Sequence, residues 1–162
     1  DIAKLNAAIE EGQFRNLRND LPAGLPEARR LVTGLVEAIQ EEWKTPSHQL
    51  VLGGFSQGAM LATDVALRLP APPAALNVWS GTLLCEQEWA RLAGDRGHLS
   101  VVQSHGHTDP ILPFAAAEWL RDLLIGAGLD VDFLEFPGMH TIPAQAIMRT
   151  AALLETVATA TD

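Results

Sequence analysis

The stretch LVLGGFSQGAMLA, residues 50–62, decides which fold this chain adopts. Its first three residues predict a buried strand, and the apolar spacing of residues 59–69 predicts a helix. Residues 54–58 between them match the pattern G-x-S-x-G, which places a serine on a sharp turn from strand to helix with its hydroxyl exposed above the sheet. The flanking glycines let the chain turn without steric clash. The stretch therefore makes Ser56 a candidate nucleophile.

The rest of the chain repeats this alternation of strand and helix. Such alternation implies βαβ units, which build a parallel sheet covered by helices on both faces. The 162 residues suit one domain, because domains commonly hold on the order of 100–200 residues. The sequence therefore predicts a single α/β domain. The predicted strands are 49–55, 75–79, 99–104 and 131–136, and the predicted helices are 3–11, 26–43, 57–69, 86–93, 114–125 and 143–157.

Composition argues against several classes of function. A net charge of −9 disfavours binding to nucleic acid or to an anionic membrane surface, since both need basic clusters. No apolar run approaches the roughly 20 residues of a membrane-spanning helix. The lone cysteine, Cys85, cannot form an internal disulfide and is interpreted as a small buried hydrophobic residue. We therefore expect a cytoplasmic protein.

Chemically capable side chains follow the predicted strands. In open α/β sheets, ligand sites lie at the carboxyl ends of the strands, so these side chains are expected to share one rim. They are Ser56 after the first strand, Ser80-Gly81-Thr82 after the second, His105, His107 and Asp109 in SHGHTDP after the third, and His140 in PGMHTIP after the fourth.

Three of these residues have the order of a catalytic triad. A serine nucleophile needs a base to take its proton and an acid to orient that base, and on this type of sheet the order is Ser, Asp or Glu, His. Ser56, Asp109 and His140 fit that order. Taken singly, the serine motif is a weak signal, Asp109 before a proline suits a turn, and Thr141 suits a helix N-cap. Their joint occurrence at the strand ends predicts the triad.

The other two histidines of the third strand end leave alternatives open. His105 and His107 compete with His140 for the role of base, and with Asp109 they form a conceivable zinc site. They are expected instead to shape their loop or to face solvent. On that interpretation, replacing either histidine by alanine leaves most of the activity.

The remaining histidines and several tryptophans are expected to have no chemical role. His48 and His98 are predicted at the surface, and Trp43 and Trp119 are predicted to pack within the fold. Trp79 directly precedes Ser80 at a strand end, which makes proximity to the site an alternative to packing.

Four segments together resemble the phospholipase/carboxylesterase family of the α/β-hydrolase superfamily, which includes acyl-protein thioesterases. They are GGFSQGAML, WSGTLL, SHGHTDPILPF and FPGMHTIP, and the resemblance covers about residues 26–158. It implies a three-layer α/β-hydrolase sandwich with a mostly parallel sheet. It also implies Ser56 as nucleophile, Asp109 as orienting acid, His140 as base, and the backbone N–H of Gln57 as half of the oxyanion hole. Members need no metal and no organic cofactor.

The resemblance implies hydrolysis of carboxylic esters, and the leading hypothesis is a serine carboxylesterase acting on short- to medium-chain esters through an acyl-enzyme. A thioesterase or lysophospholipase acting on acylated proteins or lipids is the alternative among enzymes. A non-catalytic α/β binding module is the alternative from another class. The expected partner is a small-molecule ester, and a homodimer is left open.

The start of the chain departs from the family pattern. Family members begin with further strands and an H-G-x-G loop that supplies the second oxyanion donor, and nothing here matches that loop. We therefore expect residues 1–162 to correspond to the C-terminal two thirds of a hydrolase domain, with the remainder absent from the structure, cleaved, or carried by another chain. Residues 1–25 are a candidate segment to cover the active site.

Overall fold

A four-stranded parallel sheet forms the centre of the fold. The computed structural model describes residues 17–97 and 99–160. Its strands are β1 (Val51–Phe55), β2 (Ala75–Trp79), β3 (Ser100–Gly106) and β4 (Asp130–Phe136). They lie in the order β1-β2-β3-β4, and each neighbouring pair is parallel. The predicted α/β class is confirmed.

A helix crosses over between each pair of consecutive strands, because parallel neighbours need such a connection. The helix α1 precedes β1, and α5 follows β4. Short 3-10 helices occur at Leu17–Asn19 and Ser47–Gln49. The helices are α1 (Leu25–Trp43), α2 (Gln57–Ala66), α3 (Glu86–Ala93), α4 (Phe114–Gly126) and α5 (Ala144–Thr159).

The helices cover the sheet on both faces. Side chains alternate between the faces of a strand. Gln103 of β3 points to α4, where its Nε2 donates to the carbonyl of Ala117 at 2.8 Å. Asn77 of β2 points to the opposite face, where its Oδ1 accepts from Thr150 Oγ1 of α5 at 2.6 Å. The predicted three-layer arrangement therefore has α2 and α4 on one face and α5 on the other.

The main hydrophobic core lies between the sheet and helices α2, α3 and α4. Trp89 of α3 is fully buried there, and so is Leu120 of α4. Cys85 is buried in the same cluster, as expected. A second, smaller cluster joins α1 to α2 through Val36, Val65 and Leu69.

Several element boundaries differ from prediction. The first strand begins at Val51 because the N–H of Leu50 closes a 3-10 turn on the carbonyl of Ser47. The third strand extends to Gly106, because its pairing with β4 continues through His105 and Gly106. His105 therefore belongs to the strand and not to the loop after it. The second helix ends at Ala66, three residues early. Predicted helix 3–11 and the predicted surface position of His98 lie outside the described residues.

The strand β1 lies at an edge of the described sheet. It pairs only with β2, and none of its residues is buried. Nearby, the expectation that Trp43 packs within the fold is wrong, since 73% of this residue is exposed. It is the last residue of α1 and lies two turns past Val36, through which α1 packs on α2. Trp119 does pack against the main core, as expected. In the described part of the chain, none of the helices has the length and apolarity to span a bilayer.

Candidate active site

Ser56 lies on the turn between β1 and α2 with an unusual backbone conformation. Its φ is 55° and its ψ is −123°, a region that non-glycine residues rarely occupy. Three backbone hydrogen bonds hold it there. Its N–H donates to the carbonyl of Trp79 at 2.8 Å, and its carbonyl accepts from Ala59 and Met60 at 3.0 and 3.2 Å. Hydrogen bonds to both the N–H and the carbonyl of Ser56 therefore hold its strained conformation. One of them places the backbone of Trp79 beside the candidate site.

The two glycines of the motif have different roles. A Cβ on Gly54 would lie 2.3 Å from the backbone of Gly58, so the end of β1 and the start of α2 can meet only without a side chain. A Cβ on Gly58 would have no atom within 4 Å. Neither glycine has a positive φ. The residue of this turn with a positive φ is Ser56. The steric explanation therefore holds for Gly54 only.

Asp109 and His140 are in direct contact. His140 Nδ1 lies 2.6 Å from Asp109 Oδ2. The other carboxylate oxygen, Oδ1, accepts the N–H groups of Ile111 and Leu112 at 2.8 and 2.9 Å. Burial raises the pKa of Asp109, but hydrogen bonds from His105, Leu112, His140 and Ile111 outweigh it and lower the pKa to about 2. The carboxylate is therefore charged and oriented at neutral pH.

Hydrogen bonds join the loops that carry these two residues. The N–H and Oγ1 of Thr108 both donate to the carbonyl of Gly138, at 3.0 and 2.9 Å. Gly106 permits this approach, because a Cβ there would lie 2.3 Å from the same carbonyl oxygen. On the other side, Ser80 Oγ donates to the carbonyl of Thr141 at 3.3 Å. The end of β2 thus supports the His140 loop as well.

The third candidate residue, Ser56, is connected to Asp109 and His140 through the preceding residue, Phe55. The ring of Phe55 lies 4.7 Å from the ring of His140, centroid to centroid. Ser56 and His140 do not form a hydrogen bond with each other, and in unliganded sites such bonds often tighten only when substrate binds. The contact of Phe55 with His140 was not predicted from the sequence. Its only signal was an aromatic residue in the first variable position of G-x-S-x-G.

His105 and His107 point to different parts of the molecule. His105 is fully buried, with Nε2 at 2.8 Å from the carbonyl of Leu112. His107 is half exposed, with Nε2 at 3.0 Å from Glu135 Oε2. Within residues 17–97 and 99–160, no three His, Cys, Asp or Glu side chains form a group able to hold a metal ion. The zinc arrangement of His105, His107 and Asp109 is therefore absent from the described site.

Two further predicted roles have different outcomes. Gln57 is the first residue of α2, and N–H groups in the first turn of a helix have no partner within the helix. Its assignment to the oxyanion hole stays a prediction. The alternative in which Thr141 caps a helix is wrong, because α5 begins after Pro143, which occupies the N-cap position. His48 is exposed, as expected.

Only part of the candidate covering segment, residues 1–25, lies within the described residues. That part packs against α3 and α4. Arg18 pairs with Glu86, and its guanidinium lies 5.2 Å from the ring centre of Trp119. Cys85 Sγ donates to the carbonyl of Asp20 at 3.3 Å. The covering role stays a prediction.

Comparison with known proteins identifies the group to which this chain is related. A family model described as Phospholipase/Carboxylesterase matches residues 13–158. The chain belongs to the phospholipase/carboxylesterase family. This family consists of serine hydrolases that include carboxylesterases and thioesterases.

This member of the phospholipase/carboxylesterase family is similar to known proteins in sequence and in fold. Acyl-protein thioesterase 1 of Mycosarcoma maydis is 32% identical over 120 residues, which cover 70% of this chain and 50% of that protein. The crystal structure of esterase PE8 superposes with a TM-score of 0.75 at 26% identity, covering 83% of this chain and 62% of that one. The Bacillus cereus carboxylesterase superposes with a TM-score of 0.70 at 20% identity, over 89% of this chain and 68% of that one, and shows the fold alone.

The chain spans about half the length of the thioesterase that it matches. A second relative, acyl-protein thioesterase 1 of Gibberella zeae, is 27% identical and is covered over 65% of its length. Residues 13–158, which the family model matches, include Ser56, Asp109 and His140.

Proposed function

We propose that the full-length protein carrying this chain is a serine carboxylesterase that hydrolyses short- to medium-chain carboxylic esters. Ser56 is the nucleophile, His140 the base, Asp109 the orienting acid, and the N–H of Gln57 one oxyanion donor. The observation that carries the proposal is the 2.6 Å contact between His140 Nδ1 and Asp109 Oδ2 beside the strained turn of Ser56.

That contact determines which ring nitrogen acts as the base. An ionised carboxylate only accepts hydrogen bonds, so Nδ1 of His140 carries the proton and Nε2 of the neutral ring carries the lone pair. Nε2 takes the proton of Ser56 Oγ as Oγ attacks the ester carbonyl carbon. The ring then returns the proton to the departing alcohol, which leaves an acyl group on Ser56. In the second half of the reaction, Nε2 takes a proton from water as the water oxygen attacks the acyl carbon. The ring then returns that proton to Ser56 Oγ, which releases the carboxylic acid and restores Ser56.

The start of α2 suits the charge that develops in this reaction. N–H groups at a helix N-terminus point toward an anion placed there, and the helix dipole favours negative charge. Gln57 and Gly58 are the first two residues of α2 and are both exposed, and N–H groups in the first turn of a helix have no partner within the helix. The strained turn holds these groups in place before the reaction.

The first experiment tests whether Ser56 is a nucleophile. A fluorophosphonate probe should label the full-length protein once, at Ser56, and Ser56→Ala should abolish labelling. Ser56→Ala and His140→Ala should each lower turnover by several orders of magnitude, and the double variant should be little worse, because residues that act as one unit are non-additive. An unlabelled Ser56 would support the non-catalytic binding module. Losses that multiply in the double variant would mean that the pair is wrong.

A thioesterase is the second candidate function. It is favoured by the 32% identity to an acyl-protein thioesterase. A series of nitrophenyl esters of increasing acyl length, compared with thioesters of the same acyl groups, separates the two activities. Preference for esters in kcat/KM supports the carboxylesterase. Activity should persist in EDTA, and loss of activity under the chelator would instead support a metal-dependent reaction.

A further inference from the structure

His105 is a fully buried histidine for which the proposed reaction has no role. It lies on β3, with its ring against that of Phe114 at a centroid distance of 6.2 Å. Its Nε2 is 2.8 Å from the carbonyl oxygen of Leu112. A carbonyl oxygen only accepts, so Nε2 carries the proton and Nδ1 carries the lone pair. Nδ1 is buried and has no hydrogen-bond partner in the described part of the chain. The ring therefore has one polar function, donation from Nε2.

That donor also approaches the candidate triad. His105 Nε2 lies 3.3 Å from Asp109 Oδ2, the same oxygen that His140 Nδ1 contacts at 2.6 Å. The Nε2–H group of His105 is thus shared between two acceptors. The carbonyl of Leu112 is the nearer one, and Asp109 Oδ2 is the more distant one. Two histidines from different elements thus approach one carboxylate oxygen.

The turn around Asp109 is closed through Leu112. The N–H of Leu112 donates to Asp109 Oδ1 at 2.9 Å, while the carbonyl of Leu112 accepts from His105. Ile111 donates to the same Oδ1 at 2.8 Å. Rotating the carboxylate would break the bonds to Oδ1, and moving the whole turn would break the bond from His105. His105 is therefore the side chain of the sheet that holds both the turn and its carboxylate.

We propose that His105 is a positioning residue, which keeps the 109–112 turn and Asp109 Oδ2 in place so that Oδ2 faces Nδ1 of His140. This inference rests on the proposed function, because it assigns His105 a part in the same reaction. It replaces the expectation from sequence that His105 is dispensable, and it leaves that expectation intact for His107.

The electrostatics of Asp109 agree with the geometry. Burial raises the pKa of this carboxyl, and among the contacts that lower it the one from His105 has the largest effect. An N–H directed at a buried carboxylate stabilises the charged form of that carboxylate. His105 thus has two consequences that can be measured separately, one on turnover and one on the ionisation of Asp109.

The test replaces His105 in the full-length protein by Phe, which fills the space without a donor, and by Gln, which restores an N–H donor. His105→Phe should lower kcat about 10–100-fold, since small displacements of catalytic groups have effects of that size, and should change KM by less than about twofold. His105→Gln should recover most of kcat. The matched control is His107→Phe, the same substitution two residues away at a half-exposed position, which should keep kcat within about twofold.

A double-variant cycle shows whether His105 acts through Asp109. In an Asp109→Asn background, His105→Phe should lower kcat by no more than about twofold further. A loss there as large as in the parent would overturn the proposal, and so would an unchanged kcat in His105→Phe. Equal losses in His105→Gln and His105→Phe would also contradict it, because rescue depends on the donor.

A readout independent of activity separates this inference from the proposed function. In carboxyl ¹³C NMR, His105→Phe should raise the pKa of Asp109, and His107→Phe should not. If the parent protein is not labelled by the fluorophosphonate at Ser56, the proposed function fails while this titration still tests the contact. If labelling succeeds and the pKa of Asp109 is the same in both variants, the role of His105 alone is overturned.

Discussion

Asp109 is a carboxylate from which water is largely excluded, and every contact that the structure gives its oxygens comes from an N–H group. Two come from the backbone of the turn and two from the rings of His105 and His140. Such an arrangement favours the charged form over the protonated one. The folded protein therefore binds a proton at Asp109 less readily than the unfolded chain does.

This difference predicts a dependence of stability on pH. The pKa of Asp109 falls from 3.8 to about 2 on folding, so its contribution to the free energy of unfolding is complete above about pH 4 and is lost as pH falls toward 2. The loss is on the order of 2 kcal/mol, since one pKa unit corresponds to about 1.4 kcal/mol. Urea unfolding between pH 2 and 6 should show a shallower acid loss in Asp109→Asn than in the parent.

Asp95→Asn is the control for that measurement, because it removes an exposed carboxylate by the same substitution. It should leave the acid slope of the parent unchanged. If Asp109→Asn also leaves the slope unchanged, the charge of Asp109 is not stabilised by the fold in the way that its contacts indicate.

At the scale of elements, the junction between β1 and α2 depends on the absence of one side chain. Gly54→Ala would place a Cβ 2.3 Å from the backbone of Gly58 and 2.7 Å from the nitrogen of Ala59. Main-chain atoms cannot rotate away as a flexible side chain can. The variant should therefore lose about 1–3 kcal/mol or more in the free energy of unfolding.

Gly58→Ala is the matched control, since the same methyl group there enters open space. Its free energy of unfolding should stay within about 0.5 kcal/mol of the parent, because an unobstructed surface substitution rarely has a larger effect. Urea denaturation of the two variants measures the comparison. Equal stability of Gly54→Ala and Gly58→Ala would mean that the strand and helix do not approach as closely as described.

A buried carboxylate joins three of the helices. Asp64 of α2 has no exposed surface and accepts the indole Nε1–H of Trp89 in α3 at 2.9 Å. It also pairs with Arg29 of α1 and with Arg68 at 3.2 Å. Removing one partner of a buried ion pair leaves uncompensated charge behind, which destabilises a protein strongly.

We therefore expect Asp64→Ala to lower the free energy of unfolding by about 3–5 kcal/mol. Thermal unfolding followed by circular dichroism measures the effect. The control is Glu27→Ala, which removes an exposed ion pair with Arg30 and should change stability much less, because solvent screens exposed ion pairs. Similar effects of the two substitutions would show that Asp64 does not link the helices.

At the scale of the whole molecule, several large apolar side chains of the helices are exposed. Leu31 and Leu35 of α1 are 56% and 58% exposed, and Leu154 of α5 is 49% exposed. A groove of about 540 Å³ beside the strand β1 is lined by Gln49, Val51 and the end of α5, which includes Leu154. An edge strand with free N–H and C=O groups beside such a surface readily pairs with other chains.

Residues 1–162 expressed alone should therefore be poorly soluble and nearly inactive. Light scattering should show association. The family resemblance implies that an H-G-x-G loop supplies the second oxyanion donor, and residues 1–162 contain no such loop, so turnover should be low. The loss of one oxyanion donor reduces turnover by about 10²–10³. Supplying an N-terminal segment with an H-G-x-G loop from a relative, fused or as a separate fragment, should restore both properties. A soluble, monomeric and fully active 162-residue chain would contradict this, and would mean that both oxyanion donors lie within it.

The sequence by itself was sufficient for the fold class and for the identity of the candidate residues. Alternating strand and helix patterns leave one class of architecture, because local periodicity and the need to bury apolar faces both act over short stretches of chain. The turn at Ser56 was also predictable, since G-x-S-x-G is a local constraint on the backbone. Likewise, Asp109 and His140 were found from their positions after strands.

Only the tertiary structure decided how those residues are held. The continuation of β3 through His105 depends on pairing with β4, and the contact between Phe55 and His140 joins residues far apart in the chain. His105 is fully buried and His107 is half exposed, although the two lie only two residues apart in one motif. These properties arise from the packing of distant segments, and a sequence pattern carries no direct record of that packing.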